Sequence, residues 1–325
     1  MKKTAIAPSN IAFIKYWGRK DEELRLPENG SISMNLSNLL TTTTVEFNDA
    51  FEKDTITIDE QENEQESTRV ITHLDRIRKI AGISTRAKVV SQNNFPSGTG
   101  LSSSASGFAA LTVAASMAAG LNLSEKELSI LARLGSGSAC RSIPDGFVEW
   151  LNGETNDTSY AISLYPPSYW DISDVVVIAS NEKKKVSTTE GQKLSNTSPF
   201  YKTRQEYIGK KTTLLKQFLK DKNFTEFGKI IESEALELHS IMLTSYPSLI
   251  YLLPNTVRIM HEVKRMRENG IEVYFTLNTG QDVHLICESK NATAVSEIAK
   301  TIEGVHDTIV NLASVGTRES ANHLF

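Results

Sequence analysis

The sequence predicts an α+β protein of two lobes. At 325 residues the chain exceeds what one hydrophobic core usually organises. Its early segments read as strands, whereas long helical patterns fill most of the second half. Between them a Gly/Ser-rich segment, Asn93 to Phe108, runs straight into the Ala-rich stretch Ala109 to Ala119.

Residues 4–16 read as extended, and residues 31–48, rich in Ser, Thr and Leu, as strands. The acidic run Asp59 to Ser67 is expected to be an exposed hairpin tip or loop, with a helix over 68–81 after it. Ala87 to Ser91 is the strand that enters the Gly/Ser segment. A helix over 103–119 stops at Gly120, where a left-handed C-cap is easily formed. Ser124 and Glu127 make a capping box that opens a helix through Arg133. Gly135 to Ser142 is a second small-residue turn. Val175 to Ala179 is the best candidate for a buried strand, and Lys183-Lys184-Lys185 reads as a solvated turn. Helices follow over 198–219, 224–242 and 254–269. Strands over 272–277 and 283–287 bracket the turn 278–282. A helix over 291–302 and a strand over 307–314 complete an α+β unit. The lobes are expected to be residues 1–175 and 176–325.

Composition excludes several functions. The net charge of −4 argues against a general nucleic-acid binder. Two distant cysteines, Cys140 and Cys287, form no CxxC pair and fit a reducing cytosol, so a cytoplasmic location is expected. The N-terminal residues lack the apolar stretch of a signal peptide, and no run of about 18 apolar residues suggests a membrane span. The six histidines show no metal-ligand spacing, so no protein-held metal is expected.

Four segments can carry chemistry. Residues 96–106 form a loop whose small side chains let backbone N–H groups converge on an anion at a helix N-terminus. Its spacing matches neither GxxxxGK[ST] nor GxGxxG, and a Ser-rich turn capping a buried helix is the plain alternative. Lys15-Tyr16-Trp17-Gly18-Arg19-Lys20-Asp21 places three cations among two aromatics, fit for an anionic substrate or for a solvated turn. Ser136, Ser138 and Arg141 combine hydroxyl donors with a guanidinium suited to bidentate carboxylate or phosphate binding. The turn 278–282 is either a polar tip projecting into a cleft or an ordinary hairpin.

Together these residues resemble the diphosphomevalonate decarboxylase family of the GHMP kinase superfamily. Ala7 to Ala12 looks like its opening strand, and residues 15–21 resemble its KYWGKRD signature with Arg19 where Lys is usual. Leu26-Pro27-Glu28-Asn29-Gly30-Ser31 resembles its LPxNxS segment. Asn93 to Pro96, Gly100-Leu101 and Ser103-Ser104-Ala105 match its phosphate loop, and Gly135 to Ser142 is its GSGSACRS motif unchanged. The resemblance runs from residue 5 to about 316. It implies a two-lobe GHMP kinase fold, with an N-terminal lobe like the second domain of a ribosomal protein and a ferredoxin-like C-terminal lobe. It implies phosphorylation of the C3 hydroxyl of 5-diphosphomevalonate by ATP with Mg²⁺, then loss of the 3-phosphate and carbon dioxide to give isopentenyl diphosphate. Tyr16, Lys20, Ser136 and Ser138 would hold the 5-phosphate end, and Arg141 the C1 carboxylate. Lys15 would sit near C3. Ser102, Ser103, Ser104 and Gly100 would hold nucleotide phosphates, with Asn93 and Asn94 near the nucleotide. Family members are often homodimers.

One departure bears on the chemistry. Where the family has the acid of a DAGPN turn, this chain reads Asn278-Thr279-Gly280-Gln281-Asp282. An amide cannot accept a proton, and loss of a general base costs roughly 10²–10⁴ in rate. Asp282 is a candidate replacement only if the turn aims it into the site. Gln192 stands where many members carry Met, and Ser97-Gly98-Thr99 replaces Thr-Ala-Ala. Three enzymatic readings follow: a conventional ATP-dependent decarboxylase, a decarboxylase of mevalonate 3,5-bisphosphate that needs no ATP, and a 3-kinase. Retained Lys15 and Arg141 favour the first two. A non-catalytic sensor of a pathway intermediate is the reading from a different class.

Overall fold

A computed structural model describes every residue of the chain except Ser97, Asn181 and Lys183. Strand β1 (Lys2–Ile14) pairs antiparallel with the 17-residue β4 (Ser31–Phe47), and a short ribbon of β2 (Arg19–Asp21) and β3 (Leu26–Pro27) lies between them in sequence. The outer edge of β4 is divided. Thr41–Phe47 pairs with β6 (Ala87–Asn93), and Ser31–Met34 with β7 (Phe147–Trp150). Parallel β5 (Thr55–Ile58) extends one end and β8 (Ala161–Tyr165) the other. Three helices accompany this sheet: α1 (Glu64–Ala81), α2 (Ser103–Ala118) and α3 (Glu125–Gly135).

The second sheet is antiparallel, in the order β10-β11-β9-β12, from β9 (Ile172–Ile178), β10 (Val273–Thr276), β11 (Val283–Glu288) and β12 (Asp307–Leu312). Its helices are the short α4 (Thr188–Gln192), then α5 (Tyr201–Asp221), α6 (Phe224–Thr244), α7 (Pro254–Glu268) and α8 (Ala292–Lys300). The chain then returns to the first sheet, where β13 (Arg318–Ser320) pairs with β1.

β1 and β4 are buried on both faces because they serve two cores in succession. Ala5, Ala7, Val45 and Phe47 pack with α1, α2 and α3, and the small side chains of α2 let it lie close to the sheet. Further along, Ile11, Phe13, Ile32 and Met34 join Leu215, Phe227 and Val176 of the second lobe. The end of β1, where Lys15 follows, is therefore fixed between the lobes.

Several expectations change. The acidic run is not all loop: α1 starts at Glu64, because Asn63 caps it by accepting from Glu66 N at 3.0 Å. Glu64 and Glu66 suit the positive helix end. The strands β7 and β8 and the helix α4 were not anticipated. The division at 175/176 falls inside β9, and we propose that the lobe boundary lies at the turn Pro167–Tyr169 before it. Of the Lys183–Lys185 run and the Ser97-Gly98-Thr99 segment, Lys183 and Ser97 lie outside the described residues.

Candidate active site

The phosphate loop ends at α2 with an unusual cap. Ser102 is left-handed (φ 59°), its side chain caps no N–H, and the first turn carries no acidic residue. The free N–H groups and the helix dipole therefore favour an anion here. Gly100 (φ +124°) lies against Gly280, and a Cβ on it would come within 2.8 Å of the Gly280 Cα. The loop thus touches the Asn278 turn backbone to backbone, with Gln281 N donating to Thr99 O at 3.3 Å.

Lys15 is held from both lobes. Its N–H donates to Glu234 on α6 at 3.0 Å, while its carbonyl accepts from Asn29 and from Arg204 on α5, each at 2.9 Å. Asn29 explains the LPxNxS segment: it fixes this peptide. The Lys15 side chain is 2% exposed. Its Nζ donates to the Ala12 carbonyl at 2.6 Å and to Asn278 Oδ1 at 3.4 Å. Burial, reinforced by the Arg141 charge and opposed by Glu234, lowers its pKa from 10.5 to about 7.

Tyr16 packs on Trp150 and accepts from Arg19 Nε at 2.7 Å through its hydroxyl. Gly137 lies under its ring, where a Cβ would come within 2.8 Å. Gln192 closes the same turn from α4, accepting from Gly18 N at 2.6 Å and donating to Tyr16 O at 3.2 Å.

The GSGSACRS segment forms a 3-10 turn after α3, Gly137–Ser142. Arg141 is 3% exposed and donates to Asn10 Oδ1 at 2.9 Å, but its Nε and Nη1 have no protein partner. A buried guanidinium with donors left over is ready for an anion. Asn10 also donates to Ser142 Oγ at 2.8 Å, so β1 orients Arg141 through a residue to which the sequence attached no role. Ser136 lies 3.5 Å from Ser138 and 3.3 Å from Ser104, hydroxyl to hydroxyl.

Asn278 bridges the two halves of the site, donating through Nδ2 to Ser102 Oγ at 3.0 Å while Oδ1 faces Lys15. Asp282 does not replace the missing acid. It folds back to accept from Ala179 N at 2.9 Å, is 2% exposed, and lies off the cleft wall.

These groups line one cleft of about 1220 Å³: Lys15, Tyr16, Arg19, Gly100, Ser102, Ser103, Ser104, Ser136, Ser138, Arg141 and Asn278. Two predicted residues are elsewhere. Lys20 pairs with Glu154 at the surface, because it alternates with Arg19, which turns inward instead. Asn94 is exposed and ties its own loop to Leu40 and Asn38. Asn93 lines a neighbouring cavity of about 670 Å³, between Val89, Phe108 and Leu111, which shares Ser103 and Ser104 with the cleft. Lys184 was read as solvated, yet its Nζ donates to Thr188 Oγ1 and Thr279 O at 2.8 and 2.9 Å on the cleft wall. Burial lowers its pKa to about 8. Arg25 and Arg69 also reach the cleft without a sequence motif to signal them.

The loop fits a nucleoside triphosphate: free helix N–H groups, the Ser103 and Ser104 hydroxyls, and a cavity of mixed lining alongside. Among the described residues no three acidic, His or Cys side chains gather, so Mg²⁺ would be held chiefly by phosphate oxygens with those hydroxyls.

A two-lobe α+β fold with an uncapped helix N-terminus sharing a cleft with a buried Lys–Arg pair suits an enzyme acting on small phosphorylated carboxylates. Residues 7–161 match the diphosphomevalonate decarboxylase-like N-terminal domain, and residues 174–322 the mevalonate 5-diphosphate decarboxylase C-terminal domain. The chain belongs to the diphosphomevalonate decarboxylase family. It is 34% identical to the diphosphomevalonate decarboxylase of Candida albicans over 89% of this chain and 85% of that one. Against the human enzyme it is 35% identical over 85% and 74%. The mevalonate diphosphate decarboxylase structure from Staphylococcus aureus superposes with a TM-score of 0.93 at 36% identity, covering 98% of both chains. A solved structure of MDDEF in complex with MVAPP, AMPPCP and magnesium gives 0.92 at 36% identity, over 98% and 99%. The protein is a decarboxylase of a phosphorylated mevalonate in isoprenoid biosynthesis, a carboxy-lyase of the mevalonate pathway. Among the described residues, no helix is long and apolar enough to cross a membrane.

Proposed function

We propose that this enzyme uses ATP to phosphorylate the C3 hydroxyl of a 5-phosphorylated mevalonate, then releases phosphate and carbon dioxide. The observation that carries this reading is the cavity beside the α2 N-terminus, lined by Val89, Phe108 and Leu111 together with Thr41, Asn93 and Arg69, with Ser103 and Ser104 in both it and the cleft. Such a cavity joined to the phosphate loop offers a place for the base of a nucleotide, which an enzyme whose substrate arrived fully phosphorylated would not need. The MDDEF complex with MVAPP, AMPPCP and magnesium supports the same pairing of ligands in a relative.

In this reading Ser136, Ser138 and Tyr16, with Arg19 in place of Lys20, hold the 5-phosphate end. Arg141 grips the C1 carboxylate through its free Nε and Nη1. Lys15 stands beside C3. Phosphoryl transfer is mostly positioning and charge neutralisation, and these groups supply both. As carbon dioxide leaves, the C1–C2 electron pair becomes the new double bond and C3 expels phosphate, so cations near the departing phosphate lower the barrier.

A second reading rests on Asn278. If the substrate is mevalonate 3,5-bisphosphate, no hydroxyl needs deprotonating and ATP is superfluous. The deciding assay is carbon dioxide release from mevalonate 5-diphosphate, 5-phosphate and 3,5-bisphosphate, each with and without Mg-ATP. Release from a 5-phosphorylated substrate only with ATP is expected. Release from the bisphosphate alone, with none from the others, would establish the second reading.

A further inference from the structure

The cleft holds a buried amine that no carboxylate neutralises. Among the described residues, no Asp or Glu oxygen lies within ion-pair distance of Lys15 Nζ, although Glu234 receives the Lys15 backbone N–H. Glu234 is committed to Arg204 on α5 and, at 3.7 Å, to Lys211. The other charged and titratable groups facing Lys15 are Arg141 from the 3-10 turn, Arg204 from α5, His239 from α6 and Asp174 from β9. His239 is kept neutral by burial, with a pKa lowered to about 4, and its Nε2 donates to the Asn278 carbonyl at 3.1 Å. Asp174 is paired with His284 at 2.7 Å. The amine therefore has two neighbours it can use: the Ala12 carbonyl and, more distantly, the Asn278 amide oxygen.

We propose that the Lys15 amine, and not a carboxylate, is the proton acceptor for the C3 hydroxyl in this enzyme. The proposal rests on the ATP-dependent reading above. The hydroxyl O–H bond breaks and its proton joins the neutral Nζ, giving an ammonium. The freed oxygen pair bonds the γ-phosphorus of the nucleoside triphosphate, and the bond from that phosphorus to the bridging oxygen breaks, its pair leaving on the diphosphate. The ammonium then stands next to the new 3-phosphate, where its charge helps that group leave as the C1–C2 bond opens. Asn278 becomes a positioning residue: Oδ1 steers the amine and Nδ2 holds Ser102. An aspartate there would hold Lys15 as an ammonium and take the proton itself. The amide leaves the amine free, and the low pKa of Lys15, about 7, leaves a large neutral fraction at neutral pH. The one carboxylate among the described residues of the cleft wall, Glu66 on α1, faces Arg69 and forms no ion pair with Lys15. The Tyr16 phenol accepts from Arg19 and has its pKa raised by burial, and Lys184 is held at Thr188 and Thr279, not at the Asn278 side chain, with a pKa lowered only to about 8.

The test has two arms. Lysine ε-¹³C NMR of the ligand-free enzyme, with Lys15→Arg for assignment, should find one lysine titrating near 7, moving upward in Asn278→Asp. A Lys15 that titrates above 9 in the wild type would overturn the proposal. The pH profile of kcat/KM for ATP-dependent turnover should rise about tenfold per unit below that pKa and then level off. In Asn278→Asp the acidic limb should move to lower pH. ATP-dependent turnover with a flat profile between pH 5 and 9, or surviving undiminished in Lys15→Met, would refute Lys15 while leaving the ATP-dependent reading intact. Absence of any ATP-dependent turnover, with release from the 3,5-bisphosphate alone, would refute both.

Discussion

Arg141 and Lys15 share a cleft but face opposite demands. Arg141 stays charged and has donors to spare, so its planar fork matters. Arg141→Lys should cost roughly 10² or more in kcat/KM with the fold intact, because a lysine offers no bidentate geometry; turnover within a few-fold of wild type would contradict its carboxylate role. Lys20→Ala should change KM by less than about threefold, since exposed ion pairs of the Lys20–Glu154 kind are worth little. Lys15 also leaves a mark on stability. Its folded pKa lies below the unfolded value, so between about 7 and 10.5 the unfolded chain holds a proton that the folded one has shed. Stability from this group therefore rises with pH across that window. Lys15→Met should stabilise the ligand-free protein near pH 7 by on the order of 2 kcal/mol, and by much less near pH 10, in urea titrations. The identities of these residues were legible because their motifs are contiguous strings. Their directions were not: adjacent Arg19 and Lys20 diverge across a ribbon only two or three residues long, and only the fold decides which one enters the cleft.

At the scale of elements, the contact between the phosphate loop and the Asn278 turn sets the site. Gly100 and Gly280 have no room for a side chain, and Gly100 also needs its positive φ. Gly100→Ala should part the two segments and lower kcat by at least about tenfold, with thermal stability little changed by comparison; the pair of measurements distinguishes loss of alignment from unfolding. The turn's residue types were visible, but not that Asn278 faces the cleft while Asp282 folds back onto Ala179. That choice depends on the end of β9, about a hundred residues away in sequence. The long helices were readable from their period and from caps such as Ser124–Glu127, which forms as expected. β7 and β8 were not, being four and five residues long, with β7 stabilised by pairing to β4 more than a hundred residues earlier and β8 by pairing to β7 in turn. Lys184 was not legible because a charge run carries no signal that one member turns onto the cleft wall.

At the scale of the molecule, two sheets share a single spine. β1 and β4 contribute to the core under α2 and to the core between the lobes, so neither lobe is complete by itself. β13 reinforces this, pairing with β1 from the far end of the sequence, while Ser314 N donates to Asn35 O at 3.0 Å. Deleting residues 318–325 should lower Tm by about 2–6 °C and speed amide exchange along β1; an unchanged midpoint would mean the strand is ornamental. The same connection has a bearing on how the protein is made. During synthesis the first sheet emerges early, but the edge of β1 has no neighbour until residues 318–320 have left the ribosome. Until then the nascent chain carries an unpaired strand edge, the kind of surface on which partly made proteins aggregate, and expression at high ribosome density should depend on chaperone supply more than the stability of the folded enzyme would suggest.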